Sequence, residues 1–140
     1  MTLQSYTNLS TTITTNLADN TTGGISASDH RTVENNLLDG IWKRVSTAID
    51  NTDSPYTVNL SNTQILLADP TSGAITVNLP AVTSSTGAIL TVKNIGTTNA
   101  VTLDGNASET IDGATTKALS TQYDVVTVFC DGTEWHIIAN

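Results

Sequence analysis

Residues 126–140 read VTVFCDGTEWHIIAN, and this stretch decides how the C-terminal part of the chain folds. Val126, Val128 and Cys130 alternate with Thr127 and Phe129, so two sets of side chains follow each other along the chain. Successive side chains of a strand point to opposite faces of a sheet, and a period of two residues is therefore the pattern of a strand. The stretch predicts one strand before residue 131 and a second strand after it.

The pair Asp131-Gly132 lies between these two strands and predicts a tight hairpin. A type I′ turn needs φ > 0 at both central residues, a conformation that Asp-Gly adopts readily. With this pair as the turn, Val128 is expected opposite Trp135 and Val126 opposite Ile137, on one apolar face. A slip of one residue would send Trp135 to the solvent face, which disfavours other registers. The residues predicted for the hairpin turn and its core are Asp131, Gly132, Val128, Trp135 and Ile137.

Residues 56–140 contain short segments rich in Val, Ile, Thr and Leu, separated by turn-forming sequences such as DPTSG, TSSTG and GTTN. Short strands at this spacing are typical of an antiparallel sandwich or barrel. The predicted fold class is therefore mainly β, with an antiparallel β-sandwich or barrel-like module. The predicted strand segments are YTVNLS, QILLA, AITVNLP, AILTVKN, AVTLDG, ETIDG, YDVVTVFC and EWHIIAN.

Three further zones are expected before this β-module. Residues 1–24 are almost all Thr, Asn, Ser, Leu and Ala and contain no Lys or Arg, so they bury too little apolar surface to order themselves. They are interpreted as a flexible N-terminal arm. Residues 25–50 are interpreted as one amphipathic attachment or oligomerisation helix, and residues 51–55 as a linker to the β-module at 56–140.

The helix is predicted from apolar residues that recur every four positions between Val33 and Ile49. This spacing places them on one face of an α-helix. A single helix cannot bury a stripe that contains Trp42, so the stripe must pack on the β-module, on copies of itself or on another protein. Trp is enriched among residues that dominate binding energy, which makes Trp42 the expected anchor. The predicted interface stripe comprises Val33, Leu37, Leu38, Ile41, Trp42 and Val45.

The charge balance excludes two classes of partner. The chain has a formal net charge of −8 and only five Lys and Arg residues. Neutralising several phosphates takes a basic patch that so few cations cannot build, so no nucleic-acid partner is expected. Anionic membranes are disfavoured for the same reason, and no apolar run approaches the roughly 20 residues of a spanning helix. The first residues, MTLQSYTNLSTT, lack the basic and apolar regions of a signal peptide, which predicts synthesis in a cytoplasm.

Few side chains have the spacing of a catalytic or metal site. His30 and His136 are far apart in sequence and have no cysteine companion, and Cys130 is expected to be a buried strand thiol. Residues 104–108, DGNAS, resemble the start of a calcium loop, but the required Gly and distal Glu do not follow. We therefore predict no catalytic residue, no cofactor, no metal site and no enzymatic activity.

Two runs of the sequence resemble a known family. LADNTTGGISASDHRTVENNLLDGIWKRV resembles a short N-terminal module of tailed-phage fibre and virion-appendage proteins, in which N-T-x-G-x-I-x-A-x-D-x-R opens a helix. The run from ITVNLP to the end is similar to a β-module of the same proteins, with Leu-Pro after a strand, a strand ending in Lys-Asn, Ile-Asp-Gly and a terminal Asp-Gly-x-x-Trp hairpin. The two runs together cover most of residues 17–140.

The resemblance implies a structural protein of the virion, assembled in the host bacterial cytoplasm. It implies a head fibre or head decoration protein that attaches to capsid or neck proteins through its N-terminal part, projects the β-module and forms a homotrimer. The length of 140 residues favours the head over a full host-reading tail fibre. A neck- or tail-associated fibre or adaptor is the first alternative.

Two other classes stay open at this stage. A module that binds host-surface glycan would need exposed aromatic residues, and Trp42 or Trp135 would supply them only if they reach the surface. An enzyme such as a glycosidase would need a pair of carboxylates brought together in a cleft, and thirteen acidic residues leave this open. Burial of Trp135 would count against the first class.

Overall fold

The computed structural model describes residues 44–140, and this part of the chain is mainly β, as predicted. Residues Ser46–Asn140 form one compact unit of nine strands. The strands are β1 (Ser46–Asp50), β2 (Tyr56–Thr57), β3 (Ile65–Asp69), β4 (Ile75–Asn78), β5 (Ile89–Asn94), β6 (Val101–Asp104), β7 (Thr116–Leu119), β8 (Val125–Cys130) and β9 (Trp135–Ala139). Sheet A has the order β1-β3-β5-β8-β9, and sheet B has the order β2-β4-β6-β7.

The first six strands are parallel to their neighbours among themselves, and the predicted antiparallel module is wrong in this respect. β1, β3 and β5 are parallel in sheet A, and β2, β4 and β6 are parallel in sheet B. The antiparallel pairs are β5 with β8, β6 with β7 and β8 with β9. The reason is that turn-forming sequences such as DPTSG, between β3 and β4, carry the chain across to the opposite sheet instead of back along the same one. Both sheets are therefore mixed.

The two middle layers of the sheets, β3 with β5 and β4 with β6, pair at the same spacing. Ile65 pairs with Thr91 in sheet A and Ile75 with Val101 in sheet B, so partners are 26 residues apart in both sheets. The corners of successive layers are joined by hydrogen bonds, which run from Thr97 N to Thr71 Oγ1 at 3.1 Å and from Thr98 Oγ1 to Thr71 O at 2.6 Å. These bonds hold the layers in register.

β1 overturns the predicted boundary between helix, linker and β-module. Residues 46–50 were expected at the end of the helix and 51–55 as a linker, yet Ser46–Asp50 pair with β3. Asn51–Asp53 form a single 3-10 turn, which Asp50 caps by accepting from Thr52 N at 2.8 Å. A spacing of four residues also fits the alternation of a strand, which explains why Ile49 is buried here. The β-module thus begins at Ser46.

The remaining N-terminal predictions concern residues before position 44. The arm at 1–24 and the helix from residue 25 to residue 43 lie outside the described residues, and so do Val33, Leu37, Leu38, Ile41 and Trp42. Of the predicted stripe, only Val45 is described; it is half-buried and directly precedes β1.

Two strand assignments near the end of sheet B also differ from the sequence pattern. β7 was not predicted, because Lys117 and Ala118 are weak strand formers. ETIDG was predicted as a strand but contributes only isolated bridges, in which Ile111 pairs with Ala114 and with Trp135. The segment 109–115 is therefore a loop that packs against the beginning of β9.

The inward faces of both sheets share one hydrophobic core. Leu66, Leu90 and Val92 come from sheet A, and Val77 and Leu103 come from sheet B. Trp135 is the largest of the fully buried side chains. Among the described residues no helix is long and apolar enough to cross a membrane.

Candidate functional site

The terminal hairpin forms, but its register differs from the predicted one. Cys130 pairs with Trp135 and Val128 with Ile137, so Val128 does not lie opposite Trp135. The loop comprises four residues, 131–134, because Asp131 Oδ1 accepts hydrogen bonds from the main-chain N–H of Thr133 at 2.7 Å and of Glu134 at 3.0 Å. A side chain that mimics a turn in this way favours a wider loop than Asp-Gly alone predicts.

The shift in register is two residues, so the side chains up to Ile137 keep their predicted faces. A bulge at Ile138 then brings Ala139 opposite Thr127. Val128 and Trp135 are buried in the core, and Ile137 packs against it. Gly132 has φ of 99°, a left-handed conformation that glycine adopts without steric cost, so the turn has the residue that its backbone requires. Cys130 is buried, and its burial raises the pKa of the thiol, which keeps it protonated.

The outer side of this hairpin carries a cluster of one histidine and three carboxylates. His136 Nε2 lies 3.1 Å from Asp131 Oδ2, and His136 Nδ1 lies 3.6 Å from Asp112 Oδ1 and 3.9 Å from Glu134 Oε1. Asp131 and Glu134 belong to the hairpin loop, whereas Asp112 belongs to the 109–115 loop. The cluster thus joins two segments that are about 20 residues apart in sequence.

Each carboxylate of the cluster also accepts a hydrogen bond from the main chain. Glu134 Oε2 accepts from Gly113 N at 3.1 Å and from Thr110 Oγ1 at 2.7 Å. Asp112, whose φ of 49° is unusual for a residue other than glycine, accepts from Ile137 N at 3.2 Å. These contacts fix the loop against the hairpin. The cluster therefore has a clear structural use.

The pKa values of the cluster follow from these contacts. The hydrogen bond from Thr133 and those from main-chain N–H groups lower the pKa of Asp131 far below its usual value. Hydrogen bonding to Asp131 raises the pKa of His136, and the hydrogen bond from Thr110 lowers the pKa of Glu134. The two carboxylates are ionised at neutral pH, and His136 binds a proton more tightly than a free histidine.

Other predicted candidates do not assemble into a site. Within residues 44–140, no group of three or more His, Cys, Asp and Glu side chains is arranged to hold a metal ion. Asp104 lies at the outer end of β6, and the following segment is a turn in which Glu109 N donates to Asn106 O at 2.9 Å. A groove of about 320 Å³ lies at the ends of β2 and β4, and its lining has no ionisable side chain. Its lining residues are Thr57, Val58, Asn59, Leu60, Ser61, Pro80, Ser84 and Ser85.

Sequence reasoning missed the contribution of Asp112 to the hairpin, because it placed this residue in the predicted strand segment ETIDG. The alternation of Glu134 and His136 on one strand face was the available signal that polar groups gather there. A scan against protein-family models finds no match for this chain, and a search of curated protein sequences finds none either.

Proposed function

We propose that this chain is a non-enzymatic structural protein of a phage virion, a head fibre or head decoration protein. Its N-terminal part attaches to the particle, and its β-sandwich-like module, preceded by the amphipathic helix, projects from it as a homotrimer. The resemblance of two sequence runs to phage appendage proteins motivates this proposal. The compact β-module from Ser46 to Asn140 supports it, because such a module suits the projecting part of an appendage.

The observation that carries the proposal is how the polar side chains of the module are used. Asp131, Glu134 and Asp112 each accept main-chain hydrogen bonds that fasten a loop or a turn. Thr71 and Thr98 tie one layer of strands to the next. Polar side chains whose hydrogen bonds fix loops and layers favour a mechanical role over acid–base chemistry.

Particle association is tested by labelling. An antibody raised against the purified chain is applied to particles of the phage that encodes it, followed by electron microscopy and by immunoblotting of gradient-purified virions. The proposal expects the chain in purified virions and gold label on the head. Label at the neck or tail would support the neck or tail fibre or adaptor instead, and absence of the chain from virions would overturn the virion assignment altogether.

Self-association has its own test. We expect Trp42→Ala in the full chain to weaken trimer formation or particle attachment by about 2 kcal/mol or more, because buried Trp side chains often anchor interfaces. Light scattering after size exclusion gives the mass of the assembly, and particle pull-down gives attachment. Unchanged mass and unchanged attachment would remove the helix stripe from the proposal.

One observation favours a second function, recognition of host-surface glycan. Trp135 is buried and cannot stack on a sugar, but Tyr123 is 63% exposed and holds φ of 72°. An exposed aromatic residue in a strained backbone conformation is a candidate for binding. A glycan array with the full chain and with Tyr123→Ala tests this: binding lost in the variant would support it, and an array without signal would end it.

A further inference from the structure

Tyr123 places an aromatic side chain where neither packing nor the backbone calls for one. It is 63% exposed, more than any other large hydrophobic residue among those described, and it is not packed against the core. Its φ of 72° lies in the left-handed region, which a bulky residue rarely adopts. Hydrogen bonds from Tyr123 N to Asn94 O at 2.8 Å and from Asp124 N to Thr121 O at 3.0 Å hold this conformation. A bulky residue kept in a strained conformation without a packing use indicates a binding role.

Lys93 places a cation beside the Tyr123 ring. Its Nζ lies 5.4 Å from the ring centroid, so the ammonium group covers one part of the ring and leaves the rest to solvent. Lys93 pairs with Val125 across β5 and β8, and Val125 is 38% exposed. We call Tyr123, Lys93 and Val125 the Tyr123 patch. An aromatic ring attracts a cation without neutralising its charge, so Lys93 can still bind an anionic group.

The carboxylates next to the Tyr123 patch are used within their own turns. Asp124 Oδ2 accepts from Thr121 N at 2.8 Å, and Asp69 Oδ1, at the end of β3, accepts from Thr71 N at 3.0 Å. Over residues 44–140, the ion pairs shorter than 4 Å are those of His136, so no described carboxylate pairs with Lys93 at that distance. The patch therefore offers a cation to a ligand.

The acidic cluster around His136 is too far away to cancel this cation. His136 pairs with Phe129, which lies four residues beyond Val125 along β8, or about 13 Å. At physiological ionic strength, interactions between exposed charges more than about 8 Å apart are largely screened. The net charge of −8 is thus compatible with binding of one anionic group at Lys93.

A ligand that matches the Tyr123 patch combines an apolar face with a single acidic group. The C–H face of a sugar ring can stack on an aromatic ring and cover an aliphatic side chain, and uronic and sialic acids add one carboxylate. A neutral sugar would leave Lys93 unused, whereas a nucleic acid would need several cations. Gln122 Nε2 donates to Ile95 O at 3.2 Å, which leaves the amide oxygen as an acceptor for a sugar hydroxyl.

We propose that the Tyr123 patch binds a glycan in which one sugar carries a carboxylate, with the sugar ring on Tyr123 and Val125 and the carboxylate paired with Lys93. This inference rests on the glycan recognition proposed above, and it names the class of sugar and a second residue of that site. One exposed ion pair and one ring contact predict a dissociation constant on the order of a millimolar for a single patch. The proposed homotrimer would present three patches, and linked sites raise the overall affinity.

A glycan array with the full wild-type chain is the first test. It carries glycans with uronic or sialic acids beside neutral glycans that match them in their other sugars. We expect a stronger signal on the acidic member of at least one matched pair. Equal signals on both members, or a signal on neutral glycans alone, would overturn the preference for an acidic sugar.

Removal of the cation tests the role of Lys93. Lys93→Met keeps most of the aliphatic stem but removes the charge, and it is expected to weaken binding to the acidic glycan about fivefold without changing binding to its neutral counterpart. Lys117→Met, in β7 of sheet B, is the matched control and should change neither. Equal losses in the two methionine variants would remove Lys93 from the site.

Tyr123→Asn separates binding from folding. Asn adopts the left-handed conformation more readily than an aromatic residue, so the variant should keep or raise the thermal midpoint of the wild type. It should nevertheless lose at least about tenfold in affinity for the acidic glycan, because the stacking surface is gone. A lower thermal midpoint would assign the ring a packing role, and unchanged binding would refute the Tyr123 patch.

Glycan recognition and the preference for an acidic sugar fail in different ways. Binding that depends on Tyr123 but is the same for acidic and neutral glycans would keep glycan recognition and refute this inference. A full array without signal would end both. The virion assignment is judged by the labelling experiment alone.

Discussion

Asn94 at the end of β5 in sheet A donates a hydrogen bond from Nδ2 to the main-chain oxygen of Leu119 at the end of β7 in sheet B, over 3.1 Å. Asn94 is fully buried, and its Oδ1 accepts from Gly96 N at 3.0 Å. Its main chain also bonds to the segment before β8, because Asn94 O accepts from Tyr123 N at 2.8 Å. One amide side chain therefore joins the two sheets at the point where the chain returns from sheet B to sheet A.

Asn94→Leu is expected to destabilise the protein by about 2–4 kcal/mol. The variant keeps a similar volume but leaves the Leu119 oxygen and the Gly96 N–H without their partner, at about 1–3 kcal/mol for each buried group. Urea unfolding followed by Trp fluorescence measures the loss. Thr91→Val is the control, because it breaks a half-buried hydroxyl pair and should cost about 1 kcal/mol or less. Similar losses in both variants would contradict a special role for Asn94.

Gly96→Ala tests the close approach of two corners. A Cβ atom at residue 96 would lie 2.6 Å from Pro70 Cδ and 2.8 Å from Pro70 N, so backbone would have to move. We expect a loss of about 1–3 kcal/mol in the free energy of unfolding. Gly73→Ala meets only the Asn51 side chain, at 3.2 Å and beyond, and should cost less. The prediction fails if the two alanine variants have the same urea midpoint.

Trp135 carries an unused polar group into the core. Its side chain is fully buried, and within the described residues its Nε1 has no hydrogen-bond partner. Trp135→Ala should destabilise the fold by about 3–5 kcal/mol through the cavity it leaves. Trp135→Phe should cost less than about 2 kcal/mol, because it also removes the unpaired donor. Chemical denaturation of both variants decides; a Phe variant as unstable as the Ala variant would mean that the indole N–H is satisfied in solution.

The His136 cluster predicts a dependence of stability on pH. Because contact with Asp131 raises the pKa of His136 in the folded state, its contribution is complete below the unfolded pKa of about 6.5. The contribution is lost as pH rises through the higher folded value. The thermal midpoint of the wild type should therefore fall more between pH 5 and pH 8 than that of His136→Gln. This pH range spans the ordinary histidine pKa of about 6.5.

The comparison of these two proteins cancels the contribution of His30, which both contain. Asp131 does not interfere in this range, because its lowered pKa means that its own contribution is lost only at much lower pH. Parallel pH profiles for wild type and variant would show that the contact between His136 and the hairpin loop does not form in solution.

The inward and outward positions of most strands could be predicted from the sequence, because they depend on a period of two residues within a few positions. Val126, Val128 and Cys130 lie on the buried side, as the pattern indicates. The identity of the neighbouring strand could not be predicted in this way. Segments such as ILLA and ILTV have similar compositions, so either could pair with several others at nearly equal energy.

A signal for the parallel arrangement exists but is weak. The signal is a likeness between two segments, DPTSGAITVN at residues 69–78 and IGTTNAVTLD at 95–104. Both contain threonines, a small residue and a run of Ala, an aliphatic residue, Thr and a second aliphatic residue. The two segments occupy equivalent positions in successive layers. A second likeness, between SGAITVNL at 72–79 and TGAILTVKN at 86–94, joins segments that lie in different sheets and therefore conceals this repeat. Two copies of a segment are too few to predict a stacked repeat architecture.

The hairpin marks the division between what sequence alone determined and what the tertiary structure decided. The alternation of side chains and the Asp-Gly pair determined that residues 126–140 fold back on themselves with Trp135 inside, since both are local properties of the chain. The Asp131 side chain widens the loop locally, and contacts from elsewhere fix the resulting register: Thr110 and Gly113 hold Glu134, and Asp112 holds Ile137 N. Those contacts bring together residues more than twenty positions apart, and their energy exists only once the sheets have assembled.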